Sequence, residues 1–516
     1  STGRRREMAI RLAMGANRRR LIVQLLTESL LLSFIGGALA LVVMAVILRG
    51  LVQFIPPDTP RLHEIEINLS VLGFVFLIST VTGLLFGLVP ALQASRPDVV
   101  ANLKDGSHGA GFGLATHRFR SGLVILEFAL SLILMIAGGL LLRSFGRLLE
   151  VNPGFNSDNV LLARIWLPVP NNPDLDPYRD PLKRSGFIKE LLQKVSAIPG
   201  VRNAAISNGN GVPLVGPHGS GGFTIEGDAV ANNAVPTAQT GLVSPDYFRT
   251  LETPLKRGRF FTDADDRKAP QVVVIDEALS ERYFSNRDPL GVRIKRGGPA
   301  SEAPWMTVVG IVGNVKTDGF DQPDQPHLYY PIFQNPAYAM AIYVRTDVAP
   351  STVTQSLREQ VHSLDRDLPV FGETSLARVA AESMSRRRFA MQVVGLFGVL
   401  ALLLAAVGIY GVIAYSVTQR TREIGIRVAL GASKTSILRW VLKQGLTLTI
   451  VGVVIGLIGA FALTRLLRSL LFGVGPTDFV TYGVLAALLT LVALIACYVP
   501  ARRATKVDPL IALRYE

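Results

Sequence analysis

The 516-residue sequence predicts a helical transmembrane bundle of six spans carrying an extracytoplasmic α+β domain of two subdomains. Three observations predict it: long uncharged stretches recur along the chain, a 246-residue polar block interrupts them, and positive charge is unevenly placed.

Hydrophobic residues make up 49% of the chain, and the formal charge is +14. A basic soluble protein suggests a nucleic-acid partner, but a positive mean hydropathy of +0.36 points to lipid instead. Ser29–Leu48 is twenty residues without a charge, and Ile67–Ser95 is twenty-nine. Phe389–Gln419 is thirty-one, Gln444–Thr464 twenty-one and Phe479–Ala501 twenty-three. Ser121–Leu142 is a sixth span, interrupted by Glu127. At about 20 residues per crossing these are six helices. Cys497, the only cysteine, lies in the last span, so an intrachain disulfide is excluded. The opening "STGRRRE" lacks an initiator Met and reads as the start of a basic helix, not a signal peptide. On this reading the chain is a fragment beginning inside a larger architecture.

Charge placement orients the spans. Residues 143–388 hold 28 Lys/Arg and 27 Asp/Glu, nearly balanced. Residues 1–20, 95–120, 418–443 and 501–516 together hold 21 Lys/Arg against 6 Asp/Glu, while 49–66 and 464–478 hold 4 against 4. Six alternating spans put all four basic segments on one face, which the positive-inside rule makes cytoplasmic. The polar block then lies outside. The basic charge is a topology signal, and no nucleic-acid partner is expected.

Residues 1–105 repeat near the C-terminus. "REMAIRLAMGA" (Arg6–Ala16) matches "REIGIRVALGA" (Arg422–Ala432) at seven of eleven positions, with an offset of 416. "VPALQASRPD" (Val89–Asp98) matches "VPARRATKVD" (Val499–Asp508) with an offset of 410, and each carries a proline that can end or kink its helix. Both copies face the same way, so the duplication is parallel, unlike the inverted repeats of many secondary transporters. Glu7 and Arg11 stand at i, i+4 with the acid first, the favourable order, and Glu423 and Arg427 repeat this. Gly15 and Gly431 can stop the helix at positive φ, and Asn17 and Ser433 can cap the next span. The product is a short amphipathic cytoplasmic helix joined directly to a span. It can transmit force from a partner, or it can rest on anionic lipid.

Within 143–388, Asn159–Leu167 and Ala339–Arg345 read as strands, and Phe187–Ile198 and Ser351–Leu364 as helices, giving two strand–helix–strand halves. Between them the pattern suggests a mainly β part with short helices, one begun by Asp276 and Glu277.

The repeated helix following a span, with the order span, large outer domain and three spans over residues 118–500, resembles the MacB/FtsX type of ABC transporter permease. The chain resembles the duplicated, ADOP-like form of that family, lacking the first copy's opening. The implied division is 1–105 as the C-terminal part of a first FtsX-like unit, 106–117 as a cytoplasmic linker and 118–142 as the first span of a second unit. Residues 143–388 form a MacB-like periplasmic domain, and 389–516 the second FtsX-like domain. The resemblance implies mechanotransmission in a bacterial inner membrane, driven by a separate ABC ATP-binding subunit that binds ATP and Mg. A periplasmic adaptor or effector is a further implied partner beside the bilayer. The matching coupling positions are Glu7, Arg11, Gly15 and Ala16, and Glu423, Arg427, Gly431 and Ala432.

No catalytic or metal site is expected. The sequence has no G-x-x-x-x-G-K-[ST], H-E-x-x-H or G-x-S-x-G, and "GASKTS" (Gly431–Ser436) reads as turn plus N-cap. His218 reads as a loop residue. Glu28, Glu127 and Gln444 are the intramembrane polar candidates. Glu28 and Gln444 are repeat equivalents, and the loss of one carboxylate weakens a matched proton relay. The spacings Gly83–Gly87 and Gly452–Gly456 permit close helix contact. A membrane-anchored sensor or scaffold is the alternative reading, and a secondary transporter is a third.

Overall fold

The structure is a computed structural model that describes residues 18–52, 66–94, 110–209, 211–216, 219–227, 235–285, 287–468 and 471–505. His218 lies outside them. Two compact units emerge: Ser1–Leu142 with Phe389–Leu471 and Gly475–Glu516, and Arg143–Arg388 with Phe472–Val474.

The first unit begins with α1 (Arg18–Val52) and α2 (Leu69–Ala94), followed by α3 (Ala110–Leu149). The Asn68 side chain caps α2 by accepting from the Val71 amide at 3.0 Å. α1 and α2 pack as a hairpin in which Gly83 meets Leu30 and Ser33, and Gly87 meets Ser29 and Leu26. A Cβ on Gly87 would come within 2.9 Å of the Ser29 Cβ, so glycine sets how close the helices can approach. Phe34 and Phe76 stack across the pair at 5.2 Å. α2 runs through Pro90 to Ala94.

Among the described residues, the second unit carries eleven strands in one sheet. They are β1 (Val160–Trp166), β2 (Val201–Asn208), β3 (Ser220–Ile225), β4 (Thr237–Val243), β5 (Leu255–Gly258), β6 (Val272–Asp276), β7 (Arg293–Arg296), β8 (Met306–Val312), β9 (His327–Pro331), β10 (Ala339–Thr346) and β11 (Val370–Ser375). The helices among them are α4 (Pro181–Ser196), α5 (Tyr247–Thr250), α6 (Glu277–Tyr283) and α7 (Thr354–Leu364). Strand order β11-β1-β10-β2 interleaves the units β1–α4–β2 and β10–α7–β11, the split βαβ arrangement. The two strand–helix–strand halves therefore share one sheet. Alternation on β1 explains its packing: Leu161, Ala163 and Ile165 join Ile188, Leu191 and Leu357 from α4 and α7. Leu162 points to the other face, among Tyr247, Phe248, Tyr329 and Tyr343.

Six further strands follow the order β4-β3-β7-β8-β6-β9, with β5 paired to β8 off this path, and β9 returns to pair in parallel with β4, closing a ring. Closure removes the exposed edges that an open sheet would present. On β6, Val273 and Ile275 belong to the ring's core with Phe223, Ile294 and Leu328, while Val272 and Val274 join the cluster of Leu162 and Tyr343. The Ser207↔Val243 pairing links this ring to the interleaved strands. Asp276 begins α6 by accepting from the Leu279 amide at 2.9 Å.

Two charged groups brace this unit. Arg345, 5% exposed on β10, donates to three backbone carbonyls: Thr250 at 2.7 Å, Asp158 at 2.9 Å and Asn156 at 2.8 Å. Its fork thereby ties β10 to α5 and to the chain entering β1. Asp265 takes two N–H bonds from Arg259, at 2.7 and 2.8 Å, and one from the Thr262 amide at 2.8 Å. Burial pushes the Asp265 carboxyl up, but Arg259 and Thr262 outweigh it and hold it below the usual aspartate range.

The chain returns to the first unit with α8 (Leu376–Gln419), α9 (Thr421–Ala429), α10 (Lys434–Leu463) and α11 (Phe479–Ala504). α3 is the hub of these helices. Gly452, Gly456 and Gly459 of α10 receive Phe128, Leu132 and Ile133 of α3. Ser131 donates to the Ala401 carbonyl of α8 at 3.0 Å, and Gly139 meets Leu485 of α11. Gly445 of α10 meets Cys497 of α11, which continues through Pro500. Shifted back by the repeat offsets, this pair becomes Ser29 and Gly87, which meet between α1 and α2.

Six spans are expected from the sequence. Among the described residues, five helices are long and apolar enough to cross a membrane: Ile22–Gly50, Ser121–Leu149, Arg387–Gln419, Lys434–Leu463 and Phe479–Ala504. α2 supplies a shorter apolar stretch, Leu69–Leu85.

Arg345→Met is expected to leave three backbone carbonyls, that of Thr250 buried and those of Asp158 and Asn156 partly so, without their donor and to cost about 2 kcal/mol, read as a lowered Tm of the outer unit. Asp265 titrates lower folded than unfolded. Its stabilisation is therefore full above the ordinary aspartate range near ~4 and is lost as pH falls through the lowered folded value. The Tm gap between the native chain and Asp265→Asn should accordingly narrow below about pH 4.

Candidate coupling site

α9 is only nine residues long, below what a free helix needs in water, so its surroundings must hold it. A single residue, Arg420, separates it from α8. At its far end Gly431 adopts φ +92°, the Gly431 amide donates to Val428 O at 3.0 Å, and the Ala432 amide donates to Arg427 O at 2.9 Å. These two bonds are the Schellman pair. Gly431 supplies the left-handed turn that a side chain would strain, and Ala432 closes the outer bond. Ser433 then caps α10, accepting from the Ser436 amide at 3.3 Å. "GASKTS" is thus a helix stop and a helix start.

Ile424 is 1% exposed and fixes the inner side of α9, where Gly425 is also buried. Glu423, Ile426, Arg427 and Leu430 stand at i, i+3, i+4 and i+7, one face of the helix. Ile426 is 43% exposed and Leu430 83% exposed. Between them Arg427 donates to Glu423 at 2.6 Å. Both partners of that pair are nearly half exposed, so it adds little stability. It presents opposite charges side by side, flanked by two apolar side chains. The resulting ridge combines exposed apolar surface with a paired positive and negative charge. Glu7, Arg11, Gly15 and Ala16 lie outside the described residues. By sequence alone the corresponding positions are Glu7, Ile10, Arg11 and Met14, the same chemistry. The sequence marks Glu423 and Arg427 as coupling positions, and the structure places Ile426 and Leu430 on the same face, as their spacing from the charged pair already implied.

The intramembrane candidates are separate from this ridge. The Glu127 carboxyl lies against Gly408 of α8, in space that a Cβ there would fill. Gln444 accepts from Ser416 of α8 at 3.3 Å, and Glu28 is half-buried on α1. Among the described residues no cluster of His, Cys, Asp and Glu is grouped to hold a metal ion.

Helices long and apolar enough to cross a membrane, joined to an α+β unit, are the build of a multi-pass membrane protein with an outer domain. The model described as FtsX-like permease C-terminal matches residues 2–99 and again 395–509. The MacB-like periplasmic core domain model matches residues 122–364. The chain belongs to the MacB/FtsX type of ABC transporter permeases. It is similar to "Macrolide export ATP-binding/permease protein MacB 2" of Aeromonas hydrophila, 28% identical over 53% of this chain and 43% of that protein. It is also similar to "Probable syringafactin export ATP-binding/permease protein SyfD" of Pseudomonas syringae, 30% identical over 52% of this chain and 42% of that one. The chain thus spans less than half the length of these two relatives. The crystal structure of the periplasmic region of MacB from Actinobacillus actinomycetemcomitans aligns with 46% of this chain and 96% of its own, at 18% identity and TM-score 0.29.

Gly408→Val should displace the Glu127 carboxyl and destabilise the full chain in detergent by about 1–3 kcal/mol. In a Glu127→Ala background the same change should cost less, and equal costs in both backgrounds would show that the contact is immaterial.

Proposed function

We propose that this chain couples ATP hydrolysis by a separate ABC ATP-binding subunit to movement of its extracytoplasmic domain, for export or release of a substrate. The observation that carries the proposal is the exposed ridge Glu423–Ile426–Arg427–Leu430 on α9, whose residue chemistry recurs at 7, 10, 11 and 14. A nine-residue helix stopped by a Schellman turn and joined to two spans is a compact element for taking up a push from below. Basic segments on one side of the spans favour a bacterial inner membrane with that ridge in the cytoplasm. ATP and Mg bind the partner, and the hydrolytic chemistry resides there. A periplasmic adaptor or effector is the partner proposed for the outer domain. Relatives are named for export of macrolides and of syringafactin, and these are the first substrates to try.

The test uses the full chain in nanodiscs with candidate ATP-binding subunits. The quadruple variant Glu7→Arg, Arg11→Glu, Glu423→Arg, Arg427→Glu exchanges the charges yet keeps an i, i+4 ion pair within each helix. Co-purification and stimulated ATP turnover should both fall at least about tenfold, the loss expected when charged pairs at an interface are reversed. Undiminished binding by the variant, or no binding by the native chain, would favour a sensor or scaffold with a ligand-binding outer domain.

A further inference from the structure

Trp440 lies in the second turn of α10 and is half-buried. Two guanidinium groups stand over its ring: Arg427 Cζ is 4.9 Å from the ring centroid and Arg420 Cζ is 5.3 Å away. Both fall within the reach of a cation–π attraction, for which indole is the best of the aromatic rings. Arg420 is the one residue linking α8 to α9, and Arg427 is in the last turn of α9. One indole therefore grips both ends of the short helix. Arg427 is used twice, its Cζ standing over Trp440 while an N–H donates to Glu423. The ring thus also settles where the charged pair of the ridge points.

The repeat sharpens the point. The residues 416 positions before Arg420 and Arg427 are Arg4 and Arg11, so both cations are kept. The residue 416 positions before Trp440 is Gln24, whose amide offers no ring face of this kind. We infer that Trp440 is a positioning residue that clamps α9 against α10 through Arg420 and Arg427, with a ring that the sequence of the first copy does not carry at the matching position. An ATPase partner that docks on α9 then meets a helix whose orientation this ring sets. The inference rests on the reading of α9 as a docking element. The alternative role for a tryptophan near the end of a span is an interfacial anchor in the headgroup region, which acts on α10 and leaves α9 alone.

Hydrogen exchange of the amides of residues 421–430 separates these, measured on the full chain in nanodiscs for the native protein, Trp440→Phe and Trp440→Gln. The Gln variant copies what the first copy carries. Its exchange at 421–430 should rise by about tenfold, with outer-domain amides unchanged, and Phe, which keeps a ring face, should restore part of the protection. In the same samples the Gln variant should bind the ATP-binding subunit several-fold more weakly while keeping its turnover at saturation. Unchanged exchange without the ring, or a Phe variant as loose as Gln, overturns the clamp. Raised exchange with ring rescue upholds it even where the native chain binds no ATP-binding subunit, a result that removes only the docking reading.

Discussion

Close approach at glycine is the constraint on which the membrane unit depends. Within lipid, apolar side chains gain nothing by leaving one apolar neighbour for another, so helices associate through fit and through the few polar groups they can satisfy. Gly452, Gly456 and Gly459 let α10 take the side chains of α3 directly against its backbone. The same α3 meets α8 through Ser131 and Gly398, and α11 through Gly139. With α3 held on three sides, the ends of α10 are placed. The position of Trp440, and through it that of α9, follows from contacts made deeper in the bundle.

The outer unit obeys different rules. Here water drives apolar side chains together, and strand alternation decides which of two cores each residue joins. The cluster containing Leu162, Tyr343, Val274 and Tyr329 draws on both the interleaved strands and the closed ring. Arg345 crosses the chain at that junction, satisfying carbonyls that no strand partner reaches. Burial pushes the phenols of Tyr247 and Tyr329 well up, so both remain neutral within this core, where Tyr247 donates to the Gly211 carbonyl at 3.4 Å.

Local rules were the legible part of the sequence. Gly431 as a helix stop, Ser433 and Asp276 as caps, and β1 and β10 as strands all follow from interactions within a few residues of the chain. What could not be read was set by distance along the chain. The pairing of β9 with β4 that closes the ring joins segments about ninety residues apart, and no turn signal between them announces it. Glu127 could be picked out as a carboxyl inside a span, but its place against Gly408 depends on how α3 and α8 cross. Trp440 is unmarked in the sequence for a related reason. A tryptophan near a membrane interface is ordinary, and only the folded chain puts two arginines over one ring.

The crossing between Gly445 and Cys497 has a history written into it. A duplication copies a contact, and drift afterwards changes its two sides separately. At this crossing the small-and-smaller pair has changed sides: serine on the first helix against glycine in one copy, glycine on the first helix against cysteine in the other. The combined bulk is nearly the same. What has persisted through divergence is the gap between two helices, and neither residue that fills it. Ancestral reconstruction of this crossing would therefore be better done on the pair than on either position alone.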